Sequence, residues 1–265
     1  MNTPCIWLIF LDDAEPLGQS IARSLQPYGL PVKGSLWPRN EPMGWLHCAQ
    51  EAAQAQASVV LVITSPESCQ NPEIRRQLAL FRLALHTLRK RWINGFLVGP
   101  DAPPGLINPS DSSLSGTGVL DDWTTVEGNG WAAKVVARAH APKPAQWPVR
   151  LALHGNERIG IWLETHPDPH QIAHGALVGV SGQDSCITFH AVGPKDALPE
   201  RSINEFELQG LTFDIGTHAF HAWALQNEIP EDHSYFVRVN NEPSILAIGS
   251  LPNGHPDDVI LMHLR

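Results

Sequence analysis

The sequence predicts an α/β domain on a five-stranded parallel sheet, followed by an all-β sandwich or small barrel. Three observations carry this reading. Over the first half, apolar runs of strand length alternate with segments of helical period. From residue 149 onward the apolar runs are short and separated by turn residues. Between the halves, residues 141–148 (APKPAQWP) form a proline-rich stretch that favours extended backbone and resists helix. The expected organisation is therefore a domain at 1–140, a linker at 141–148 and a second domain at 149–265.

Composition bounds the function. A chain of 265 residues is comfortable for two domains, and 43% hydrophobic with 17% charged residues is globular rather than disordered. No run approaches the roughly 18 apolar residues of a membrane-spanning helix, so no membrane partner is expected. The N-terminus lacks the basic region and small-residue cleavage site of a signal peptide. Four scattered cysteines, with no CxxC, argue against a zinc ribbon or disulfide framework and suit a reducing cytoplasm. A net charge of -9 disfavours nucleic acid as partner. The charge is uneven: residues 1–142 carry 11 basic and 12 acidic side chains, residues 143–265 carry 7 and 15. Ten of the 13 histidines also fall in the second part.

The elements follow in order. Cys5 to Leu11 is continuously apolar and ends at Asp12 and Asp13, as a strand buried on both faces would. Pro16 to Tyr28 places Leu17, Ile21, Ala22 and Leu25 on one helical stripe, with Gly29 as a stop. Leu30 to Leu36 is a short strand, and Met43 to Gln56 is alanine-rich and favours helix. Ser58 to Thr64 is a β-branched strand. A long helix from Pro72 to Arg91 carries one stripe of Ile74, Leu78, Phe81, Leu85 and Leu88. Ile93 to Val98 is a fourth strand, 108–118 an exposed loop, Val119 to Trp123 a fifth short strand and Trp131 to His140 a last helix. Parallel strands need crossover connections, and such sheets place sites beyond their C-terminal strand ends. Those ends are Asp12 with Asp13, Trp37, Ser65 and Gly99. They make Asp12, Asp13, Trp37 and Ser65 the candidate nucleotide-binding residues.

The second half offers seven or eight strands. Among them, Ser202 to Gln209 is read as a strand with a bulge, whereas His218 to Leu225 is read as a short helix instead. His166, His170 and His174 have metal-like spacing, but Pro167 and Pro169 resist the helix that would gather them on one face, and no metal site is expected. Arg75, Arg76, Arg82, Arg89, Lys90 and Arg91 crowd the long helix, as a solvated face or as a surface for an anionic partner.

Residues 4–140 resemble a bacterial TIR domain. The stretch GWLHCAQEAAQAQASVVLVITSPESCQNPEIRRQLALFRLA resembles the family's tryptophan-led helix, its buried strand ending in Ser-Pro, and its helix bearing W-C-x-x-E-L. INGFLVGPDAPPGLI resembles the fourth strand and proline-rich loop, and DDWTTVEGNGWAAKVVARA the closing segment. The resemblance implies a flavodoxin-like sheet. It also implies one of two activities: assembly with protein partners or with further copies, or cleavage of NAD at the nicotinamide–ribose bond by one glutamate. Alignment places that glutamate at Gln77, a neutral amide that cannot stabilise an oxocarbenium-like centre by charge. Glu73 lies one turn earlier, about 5.4 Å along the axis, and is the substitute candidate. The resemblance thus implies a catalytically degenerate signalling or assembly protein in bacterial stress or antiviral defence. The alternative is an NAD+ nucleosidase with a shifted glutamate, and NAD then enters as substrate or ligand. The segment FLDDAEPLGQSIARSLQPYGLPV also resembles the first strand and helix of a receiver domain, where the acidic pair binds Mg²⁺. The third strand ends without the phospho-accepting aspartate, so this resemblance implies a degenerate receiver-like regulator.

Overall fold

The computed structural model describes residues 4–12, 15–39, 41–98, 116–126, 130–141, 150–251 and 257–264. The chain divides into two compact units. The first comprises Met1–Asn108 and Leu120–Ala145, the second Pro109–Val119 and Gln146–Arg265.

In the first unit, β1 (Cys5–Phe10) leads to α1 (Glu15–Leu25) and a 3₁₀ turn at Gln26–Tyr28, which Gly29 closes at φ 70°. Next come β2 (Val32–Leu36), α2 (Gly44–Gln54) and β3 (Ala57–Ile63). A short α3 (Pro66–Gln70) and the long α4 (Pro72–Arg89) follow, then β4 (Asn94–Val98). After β5 (Gly116–Gly118), which belongs to the second unit, come β6 (Thr124–Thr125) and α5 (Trp131–His140). The sheet is parallel, ordered β2-β1-β3-β4-β6. Central β3 is buried along its whole length, Ser58 included, as the apolar run at 59–63 requires. One face packs Ile6, Leu8, Leu61 and Ile63 against Ile21 and Leu25 of α1 and Val135 of α5. On edge strand β2 the pattern loosens, and Leu36 lies largely exposed.

The expected fifth strand, Val119 to Trp123, is instead a turn, and Thr124–Thr125 completes the sheet. Gly116–Gly118, expected in an exposed loop, pairs in parallel with the last strand of the chain. Three residues without apolar side chains give no local sign of strand; the neighbouring edge supplies the ladder.

Helix α4 departs from its expected stripe. Leu78, Phe81 and Leu85 are buried, but so are Ala79, Leu80, Leu83 and Ala84, while Leu88 is 48% exposed. Its middle is therefore covered on more than one side. Arg82 is among the covered residues at 1% exposure, so it is no part of a basic surface. Its guanidinium forms a two-pronged pair with Asp122, donates to the Ile93 carbonyl and lies 3.9 Å over the Trp92 ring. Trp92 Nε1 donates to the same aspartate at 3.1 Å. Planar charge, two acceptors and an aromatic face together satisfy a cation that burial alone would expel.

The second unit is β-rich. Its strands are β7 (Arg150–Asn156), β8 (Gly160–His166), β9 (Ala173–Ser181), β10 (Cys186–Pro194) and β11 (Leu208–Ile215). Then come β12 (His218–Ile229), β13 (His233–Asn240), β14 (Ile245–Ser250) and β15 (Asp257–His263). One sheet runs β10-β13-β8-β7, the other β11-β12-β9-β14-β15-β5. All pairings except β15 with β5 are antiparallel.

Two expectations are corrected here. His218 to Leu225 is strand, not helix: Phe220 and Ala222 are buried while their neighbours are less so, and β11 and β9 pair with its two edges. Ser202 to Glu207 is not strand. Asn204 fastens this segment through its side chain, and Phe206 takes φ 48°, which breaks extension.

Within this unit Glu164 is fully buried, yet ionisable. Its Oε1 accepts from Ser234 Oγ (2.7 Å) and the Asp196 N–H (2.8 Å), and its Oε2 lies 2.5 Å from His154 Nε2. Burial pushes the carboxyl up, but His154 and the two donors outweigh it and hold it below the ordinary glutamate range.

Candidate active site

Parallel strands end on one edge of their sheet, so the loops after β1, β2 and β3 converge there. Asp12 follows β1, Trp37 and Arg39 follow β2, and Thr64 and Ser65 follow β3. Asp12 is the hub. Its Oδ2 accepts the Ser65 N–H at 2.7 Å. Its Oδ1 accepts Ser68 Oγ at 2.7 Å and Arg39 Nη2 at 2.8 Å. Arg39 also donates through Nε to the Leu11 carbonyl at 3.1 Å. Burial raises the Asp12 carboxyl, but Ser68, the Ser65 N–H and Arg39 more than offset it and leave it below the ordinary aspartate range.

Ser65 is in turn the N-cap of α3. It has extended φ/ψ, and its Oγ accepts the Ser68 N–H at 3.2 Å, with Pro66 at the first helical position. Thr64 Oγ1 donates to the Ser65 carbonyl at 3.0 Å and lies 3.2 Å from Cys69 Sγ. One carboxylate thus ties three loops and a helix start. Its oxygens are occupied by three donors, one cationic, which suits a brace and leaves little basicity for proton transfer.

Of the residues singled out from sequence, Asp12 and Ser65 meet. Asp13 lies outside the described residues. Trp37 is placed in the core: it is buried, with its ring edge-on to Phe81 of α4 at 6.0 Å, and its backbone N–H donates to the Phe10 carbonyl. A ring so packed does not present a face to a nucleotide base. Gln77 and Glu73 both lie on α4, where Gln77 Nε2 donates to Glu73 Oε1 at 3.5 Å on the exposed side. Asn71 caps that helix, accepting the Glu73 and Ile74 N–H groups at 2.9 and 3.4 Å. Glu73 therefore sits in the first turn, where a carboxylate is favoured by the helix dipole.

His166, His170 and His174 do not converge on each other. His166 Nδ1 lies against the Pro167 carbonyl, His170 faces Glu231 at 3.4 Å and His174 faces Glu228 at 3.5 Å. Among the described residues no group of three or more His, Cys, Asp or Glu side chains is placed to hold a metal ion. Among them, too, no helix is long and apolar enough to cross a membrane.

Arg39 and Ser68 were not anticipated. Ser-Pro at 65–66 is a helix-start signal that would have announced α3 and with it Ser68. Nothing local announces Arg39, whose role depends on β2 lying beside β1.

No family model matches the chain, and no curated protein matches it. A solved structure, that of catalytically inactive OgpA from Akkermansia muciniphila in complex with an O-glycopeptide substrate, aligns with 98% of this chain and 92% of its own. The identity is 9% and the TM-score 0.20, a level of similarity that carries neither fold nor function across.

Proposed function

We propose that the chain is a TIR-like signalling or assembly protein whose α/β unit acts by contact with protein partners or further copies of itself, without cleaving NAD. The strand order β2-β1-β3-β4-β6 supports the flavodoxin-like reading, since it is the 2-1-3-4-5 order of that doubly wound class. The observation that carries the proposal is Gln77. At the position where the family resemblance demands a carboxylate stands an amide, spent on an exposed hydrogen bond to Glu73. The acidic residue at the sheet edge, Asp12, is committed to bracing loops. Gln77 carries no charge and the Asp12 charge is met by Arg39, while the exposed carboxylate of Glu73 stands a helical turn from the position the resemblance requires. Four free thiols, three of them buried, support a reducing cytoplasm, and the family resemblance extends the reading to bacterial stress or antiviral defence.

The test is nicotinamide release from NAD by the purified full chain, beside Glu73→Ala and Gln77→Glu. The expected result is no release from the wild type or from Glu73→Ala. Release by the wild type that disappears in Glu73→Ala would establish the enzymatic alternative instead. Sedimentation velocity on the same wild-type sample measures the self-association that the proposal allows.

A further inference from the structure

The β-rich unit carries a surface feature independent of the TIR-like reading. Ile203 and Phe206 are 74% and 77% exposed, within the segment that precedes edge strand β11. Exposed apolar side chains are common singly, but this pair is held in place. Asn204 Oδ1 accepts the Val192 N–H at 3.3 Å, and its Nδ2 donates to the His190 carbonyl at 3.3 Å. From the other sheet, Asn227 Oδ1 accepts the Glu205 N–H at 2.8 Å and its Nδ2 donates to the Ile203 carbonyl at 3.0 Å. The Gln226 N–H donates to the Glu205 carbonyl at 3.0 Å. Between these clamps Phe206 adopts φ 48°, a conformation unfavourable for a bulky side chain. The segment is thus ordered at a cost, and the outcome is an aromatic ring in water.

Strand β11 continues from this segment. It pairs with β12 on one edge, and among the described residues no strand pairs with the other. After a bulge at Gln209 and Gly210, Leu211–Ile215 keeps regular register with His218–Ala222. Residues 205–215 (EFELQGLTFDI) carry three carboxylates and no lysine or arginine. Beside Ile203, a cavity of about 460 Å³ is lined by Val192, Leu198, Arg201, Asn227 and His233.

We propose that β11, with Phe206 and Ile203, is a docking site for an extended, lysine- or arginine-bearing segment of a partner protein, which adds to the sheet as a further strand. Strand addition takes its affinity from main-chain hydrogen bonds and its selectivity from side-chain anchors. Ile203 lines that pocket, and an exposed aromatic three residues further on is the kind of anchor that dominates such interfaces. Charge selects the occupant. Asp214 within β11 and Glu205 and Glu207 just before it would crowd like charges along a β11–β11 pairing, so a second copy of this chain is disfavoured. The same three carboxylates attract a segment of opposite sign, and they tune its rate of arrival.

The experiment uses the full chain and two fluorescein-labelled decapeptides, one alternating Lys and Val, the other Glu and Val, read by fluorescence anisotropy. The Lys–Val peptide is expected to bind and the Glu–Val peptide not to. Phe206→Gly and Ile203→Ser should each weaken Lys–Val binding at least about tenfold. Hydrogen exchange should show new protection at Leu211–Ile215. Phe206→Gly relieves the positive φ, so its melting temperature should be unchanged or higher, separating lost binding from lost fold. No binding, full binding by Phe206→Gly, equal binding of both peptides, or protection that bypasses β11 would each overturn the proposal. So would a Phe206-dependent dimer in sedimentation velocity, which would name a second copy as the occupant.

Discussion

The Ser68 hydroxyl donates to Asp12 Oδ1 at 2.7 Å across 56 residues of sequence. This bond joins the loop after β1 to α3, while Arg39 and the Ser65 N–H complete the same carboxylate. Hydrogen bonds to a charged group contribute about 1.5–3 kcal/mol each when lost. Asp12→Asn and Ser68→Ala should each destabilise the protein by about 1–2 kcal/mol in urea unfolding, with the m-value unchanged. In a double-mutant cycle the two should couple by about 1 kcal/mol; strictly additive losses would show that the hydroxyl does not serve the carboxylate.

Acid should undo the two bracing carboxylates. Asp12 and Glu164 are both held below their ordinary ranges in the folded protein. A depressed acid contributes stability that is full above its unfolded pKa and is lost as pH falls through its folded value. The loss therefore starts near pH 4, at the ordinary carboxylate values, and deepens below it. Glu164→Gln should cost about 3 kcal/mol at neutral pH, because His154, Ser234 and the Asp196 N–H lose an ionised acceptor. It should also flatten the dependence of stability on pH below 4; an unchanged slope would remove Glu164 from the account.

The Arg82–Asp122 pair predicts an asymmetry between its partners' environments. Arg82 is covered and Asp122 is partly open, so removing the acid strands a buried cation. Asp122→Ala should cost about 3–5 kcal/mol in denaturant unfolding. Trp92 lies under the guanidinium, so its fluorescence should report the change.

Gly95 tests packing with no charge involved. A Cβ there would sit 2.1 Å from the Trp123 ring, which is itself buried. Gly95→Ala should destabilise by at least about 1–3 kcal/mol, seen as a lowered melting temperature. A neutral result would mean that Trp123 has room to move.

The thiols should sort by burial. Cys5, Cys48 and Cys69 are buried, and burial pushes Cys48 up to about 11. Cys186 is partly exposed. Native protein should react promptly with a disulfide reagent at one thiol, lost in Cys186→Ser, with the other three appearing only on unfolding.

Much of the α/β unit was legible because its signals are local. The apolar run of β3, the alanine-rich α2 and the capped α4 each announce themselves within a dozen residues. The site was half legible. Asp12 and Ser65 follow from the rule that strand ends gather loops, but Arg39 enters only because β2 flanks β1, and Trp37 leaves because Phe81 covers it. The β-rich unit was least legible. His218–Ile229 has the composition of a helix or a strand, and its two neighbours settle the matter by pairing.

From the chain alone came the two-part composition, the alternation of strands and helices in the first half, the helix stop at Gly29, and the amide at position 77. These depend on residues close in sequence, whose periodicity and conformational preferences act wherever the chain goes. Only the folded structure decided that Arg82 is interior, that Gly116–Gly118 joins the second unit's sheet, and that Asp12 gathers Arg39, Ser65 and Ser68. Each of those depends on a partner dozens of residues or more away, and the free energy of burial or pairing exists only once the two are brought together.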